Sequence, residues 1–182
     1  MKTGLITPQG TDSFKADTWQ KVYEDTLASA QTSITISDLD GNTDVMYRLV
    51  TRHVCGALDG YLGLRPNNDT GTNYGFQQLY GANTTIGASR NVGTYIYMGD
   101  PGTIDYLAMD DMLIYAKSGY IRTFISTSIR DITGTTVTLI RNFGQVWNNT
   151  ADNITSFTFF SGATNGLGVG TYISLFKPLA KV

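Results

Sequence analysis

Apolar and polar positions alternate in short runs along most of this chain, and clusters of turn residues close each run. Residues 33–37 (SITIS) are the cleanest case: isoleucines take every second place among hydroxyl side chains, the period of a half-buried strand. Turn chemistry follows at 38–44 (DLDGNTD), then a strand at 45–54 (VMYRLVTRHV). A strand at 58–65 stops where Pro66 lacks a backbone donor. The dense turn segment 67–73 (NNDTGTN) comes next, and a further strand occupies 74–80. Small residues mark 81–90 (GANTTIGASR) as a loop, 91–98 as a strand and 99–110 as a loop with one helical turn near Tyr106. From there strands are expected at 111–116, 120–129, 135–147, 153–161 and 171–177, with hairpin-length breaks at 117–119 and 131–134.

About ten strands with turns every eight to twelve residues predict an all-β, antiparallel β-sandwich of jelly-roll-like type, not a parallel sheet. Residues 1–17 are polar and read as an N-terminal arm outside the core, leaving 18–182 as a single sandwich domain. Residues 17–30 (DTWQKVYEDTLASA) pull two ways. Trp19, Val22, Tyr23, Thr26, Leu27 and Ala30 fall at helical spacing behind Asp17 as a cap, and the period-two pattern is poor.

Composition narrows the function classes. Hydrophobic residues make up 41% and charged residues only 15% of the 182, so much of the surface is Thr, Ser, Asn and Gly. With a net charge of −2 and no cluster of Lys or Arg, no nucleic-acid footprint is present. Cys55 is the lone cysteine, which excludes an intrachain disulfide. The start MKTGLITPQG has no apolar stretch after its lysine, and no run reaches membrane-spanning length. Neither a signal peptide nor membrane insertion is expected.

Candidate chemistry is sparse. His53 and Cys55 are two apart on one strand face, and with no second His or Cys they make neither a zinc site nor a catalytic triad. Asp38, Asp40, Asn42 and Asp44 begin like a calcium loop, but glycine stands fourth and Leu49 twelfth, where a bidentate Glu belongs. An acidic turn is the expected reading. Asp110 and Asp111 point apart in an extended chain, and Glu24 is the only glutamate, so no acid/base pair declares itself. Four Asn-x-Ser/Thr triplets, at Asn68, Asn83, Asn148 and Asn153, reflect an Asn/Thr-rich composition. Tyrosines and Phe76 lie near loops rich in Asn, Asp and Thr, the pairing of flat rings with amides that suits a carbohydrate or a protein partner. The candidate binding residues on these grounds are Asn67, Asn68, Asp69, Asn73 and Tyr74. Catalytic residues, metal ligands and cofactors are not expected.

Several blocks carry a resemblance. YLGLRPNNDTGTNYGFQQLYG (61–81), IYAKSGYIRTFIS (114–126), GQVWNNTADNITSFTFF (144–160) and GLGVGTYISLFK (166–177) resemble a jelly-roll-like β-sandwich domain of tailed-bacteriophage structural proteins. That domain occurs in head-attached, tail-fibre and baseplate-associated proteins. Its W-x-x-V segment and SITIS-like strand match Trp19 to Ser37, which makes 18–30 a strand. The resemblance implies a non-enzymatic virion structural protein, made in the host cytoplasm and most simply a capsid decoration or head-attached protein. Its partners would be the major capsid protein or tail proteins and further copies of itself, by virion habit a homotrimer. The alternative it leaves open is a module of a tail or head fibre that binds host surface glycan.

Overall fold

The computed structural model describes residues 19–58, 61–99, 103–132 and 134–179. The expected arm at 1–17 lies outside them. In chain order the elements are β1 (Trp19–Thr26), β2 (Ser33–Ile36), α1 (Gly41–Asp44), β3 (Met46–Val54), β4 (Leu62–Pro66), β5 (Tyr74–Ala82) and β6 (Thr85–Gly93). There follow β7 (Ile96–Tyr97), β8 (Leu107–Tyr115), β9 (Arg122–Ile132), β10 (Leu139–Trp147), β11 (Phe157–Ser161) and β12 (Tyr172–Pro178). One sheet has eight strands in the order β1-β12-β3-β8-β9-β10-β5-β6, and the other has four, β2-β11-β4-β7. Every neighbouring pair is antiparallel. The two sheets pack as a jelly-roll-like sandwich, the expected fold class with twelve strands among the described residues in place of about ten.

The core follows from the alternation. In β3 and β8 every second residue is buried, so Tyr47, Leu49, Met112 and Ile114 point between the sheets. Phe124 and Trp147 continue that inner face, and Leu62, Leu64, Phe157 and Phe159 meet it from the small sheet. Phe157 stands edge-on to Tyr47 at 5.6 Å. Arg122 is buried beneath the Trp147 ring (5.2 Å) and donates to the carbonyls of Tyr120, Asn149 and Asp152, which ties the 148–153 loop to the sheet.

Three segments differ from expectation, and in a fourth, where the pattern pulls two ways, the structure has the strand that the resemblance implies. Residues 19–26 are a strand, and the register with β12 slips between Lys21 and Tyr23. That bulge turns Val22 and Tyr23 successively toward the core, which spoils the period-two pattern. Residues 81–90 are the turn and outgoing strand of a hairpin, with Asn83 at φ +50° in the two-residue connection. The expected strand at 91–98 is divided: residues through Gly93 pair with β5, and Ile96–Tyr97 cross to pair with β4. Residues 38–44 contain one helical turn, because the Asp40 carboxylate caps the N–H groups of Asn42 and Thr43.

Candidate interaction surface

The 67–73 segment is built into the fold. Asn67 (φ +51°) and Asn68 (φ +52°) turn the chain out of β4. The Asn67 amide donates to the Asn153 carbonyl (2.7 Å) and accepts from Thr155 N–H (2.9 Å), pinning the loop to the segment leading into β11. The Asp69 carboxylate accepts from Gly71 N–H (2.7 Å), Asn73 Nδ2 (2.9 Å) and Trp147 Nε1 (2.8 Å). Burial alone would push this carboxyl up, but the bonds from Asn73, Trp147 and Gly71 hold it below the ordinary range. Tyr74 is buried against Trp147, and its hydroxyl donates to the Asp69 carbonyl (2.9 Å). Of the five candidate residues, Asn68 and Asn73 are exposed; Asn67, Asp69 and Tyr74 have their polar atoms committed within the chain.

The acidic turn is similarly committed. Asp40 is held down at about 2 by the Thr43 hydroxyl and by Asn153 and backbone donors. Asp44 accepts from Tyr47 Oη (2.7 Å) and Lys177 Nζ (3.0 Å). Among the described residues no three metal-ligating side chains come together. His53 and Cys55 are both buried on the inner side, with His53 Nε2 3.1 Å from the Gly166 carbonyl. Asp110 points inward and Asp111 outward, where Arg48 grips it at 2.7 and 3.0 Å. Among the described residues no helix is long and apolar enough to cross a membrane.

Beyond the Tyr47–Phe157 and Tyr74–Trp147 pairs, the aromatic contacts form two groups. Tyr61 stacks on Tyr95 (5.4 Å, 12°), Tyr95 on Tyr97 (6.3 Å, 26°), and Tyr97 packs against Phe143 (5.6 Å) and Phe76 (6.1 Å). Gln145 exchanges two 2.8 Å hydrogen bonds with the Tyr97 backbone. This ladder is a strut between the small sheet and β10. Its ring faces are spent on one another and on Arg141, 5.1 Å above Tyr97, so they offer no open platform to a sugar ring. Tyr120, by contrast, is exposed and meets Tyr115 edge-on at 6.2 Å.

What remains is the outer face of the large sheet. The strand register sets its outward residues in rows across β8, β9, β10, β5 and β6. One row is Met109, Ile129, Ile140, Gly81, Ile86; the next is Asp111, Thr127, Asn142, Leu79, Ala88. The third row is Leu113, Ile125, Gly144, Gln77, Arg90, and the fourth Tyr115, Thr123, Val146, Gly75, Val92. Ile86 is 89% exposed, Val92 75%, Ile125 65% and Leu79 61%, so these side chains stand in water, not in a core. Three glycines lower the floor between them, and a shallow trough of about 570 Å³ runs over Gly75, Gln77 and Gly144 between Val146 and Arg90. Toward the loop, Asn73 and Asn148 border a second hollow of about 300 Å³ that shares Gly75, Val92 and Val146. Charge is confined to the margins. Arg48 and Arg52 lie beyond Asp111 on β3, and Arg90 stands on the opposite edge strand.

Sequence reasoning did not single out this face, although a signal for it exists. In β9 the inward positions are Arg122, Phe124, Ser126 and Ser128, while the outward ones are Thr123, Ile125, Thr127 and Ile129. The outward side of this strand is thus the more apolar one, and its side chains stand in water.

No family model and no curated protein matches the chain. Among solved structures, a mutant alginate lyase in complex with alginate tetrasaccharide is similar at 14% identity over 85% of this chain and 78% of that one, with a TM-score of 0.27. That score is too low to equate the folds or to bear on function.

Proposed function

We propose that this chain is a structural protein of a tailed-bacteriophage particle, acting by protein–protein assembly as a capsid decoration or head-attached protein. The observation that carries the reading is the outer face of the large sheet, where exposed Ile86, Val92, Ile125, Leu79, Ile140 and Met109 stand among a few polar positions. An exposed patch of this breadth on a rigid sandwich marks an interaction site, and monomeric proteins rarely carry one. The resemblance of four sequence blocks to phage structural domains supports the same reading and supplies its setting. The alternative, a host-glycan-binding fibre module, has less support, since Asp69 and Tyr74 are bonded inward and the stacked rings cover one another. Quantitative mass spectrometry of purified particles tests the proposal. A copy number comparable to the major capsid protein is the expected result for a decoration protein. A small fraction of it would move the protein to the tail, and absence from the particle would overturn the proposal.

A further inference from the structure

Resting on that assembly reading, we infer that the outer face is the contact between two copies of this chain, related by a two-fold axis running along β10. The apolar region spans five strands, β8-β9-β10-β5-β6, and β10 is the middle one. Turning a second copy about an axis along β10 lays its β5 over β9 and its β6 over β8, level by level. Two of the facing pairs set bulk over gap, and others set one side chain against another. Ile129 faces Gly81 of the second copy, Thr123 faces Gly75, and Met109 meets Ile86. On the axis Gly144 faces its own symmetry mate. An added Cβ there would have nothing within 4 Å, so the space above it is open to a partner.

Charge selects this axis. Arg90 is exposed with no hydrogen-bond or ion partner among the described residues. The rotation along β10 sets it level with Leu113 of the second copy, one row from Asp111. The Asp111 carboxylate, held on one side by Arg48, keeps acceptor capacity for a second guanidinium. An in-plane axis perpendicular to the strands would instead place Arg90 over Ala88 and leave it unpaired. The footprint also suffices. Five strands at ~4.8 Å spacing and four rows at ~6.8 Å give roughly 600 Å² per copy and ~1,200 Å² in all, the lower bound for a stable interface. The axis is two-fold, not the three-fold that the phage resemblance implies.

Sedimentation velocity of the full chain across the micromolar range tests the inference. The wild type is expected to be a dimer. Gly144→Arg puts a charge on the axis and is expected to give a monomer with unchanged melting. Arg90→Asp is expected to weaken the dimer about tenfold to hundredfold, and adding Asp111→Arg to restore it. A monomeric wild type, or a dimer indifferent to both Gly144→Arg and Arg90→Asp, overturns the inference. A trimer dispersed by Gly144→Arg overturns the axis but leaves the assembly reading standing. That reading fails separately, on absence from the particle.

Discussion

Asp110 gives the sharpest quantitative test of the fold. Its side chain is fully buried in the middle of β8, where Oδ2 accepts from Gly99 N–H (3.1 Å) and Thr51 Oγ1 (3.2 Å), while Oδ1 has no partner among the described residues. Burial pushes its pKa up to about 6, against the opposing pull of the bonds from Gly99, Ser128 and Thr51 and of the Arg141 charge. In the unfolded chain an aspartate titrates near ~3.9. Between those two values the folded protein holds a proton that the unfolded chain has released. The contribution of Asp110 to stability is therefore greatest below about pH 4 and is lost as the pH rises through about 6. A shift of about two units at ~1.36 kcal/mol each costs roughly 3 kcal/mol by neutral pH. Asp110→Asn cannot ionise, yet its amide oxygen still accepts from Gly99 and Thr51. Variant and wild type are expected to be similar near pH 4, with the variant about 3 kcal/mol more stable near neutrality, or ~6–12 °C in Tm. Urea titrations of both proteins across this range measure the gap, and the comparison cancels every other carboxylate. A gap that stays constant, or narrows with rising pH, would refute the argument.

Four further outcomes are expected. Asp69→Ala leaves Trp147 Nε1 and Gly71 N–H without an acceptor and should cost about 3 kcal/mol in chemical denaturation; an unaltered midpoint would mean that the loop is free to bind other partners. Phe157→Ala should cost about 3–5 kcal/mol, since it empties a fully buried site against Tyr47. Arg48→Ala removes an ion pair that is nearly half exposed at both ends and should change stability by less than about 1 kcal/mol. Calcium should leave the melting midpoint unchanged, because Asp40 and Asp44 are already bonded within the chain; a rise would require their oxygens to be released.

The parts of the fold legible in the sequence are those where one face must be buried and the other wet. Residues 33–36 and 46–54 alternate because Ile36, Tyr47, Leu49, Thr51 and His53 face inward, and that contrast is written one residue at a time. β6 was illegible for the opposite reason. Its residues are almost all exposed, so nothing in its own pattern demands a strand; its pairing with β5 and the turn at Asn83 supply the instruction. β1 was obscured by a bulge that breaks the count at Val22. The candidate loop at 67–73 was located correctly as a turn, but composition does not reveal where Asn and Asp side chains point. Here Asn67 and Asp69 point back into the protein.

The position of β12 carries a consequence for how the protein is made. The last described strand sits between β1 and β3, pairing Trp19 with Pro178 on one side and Arg52 with Tyr172 on the other. Neither neighbour can complete its ladder until that strand has been synthesised. A chain emerging from the ribosome thus exposes an unpaired edge on β3, and with it the apolar row of Leu49 and Tyr47, until residues 172–178 have followed more than a hundred residues later. Contacts of such long sequence separation also make closure slow. Nonsense truncations that remove residues 172–178 should therefore yield aggregated protein and not a smaller soluble sandwich.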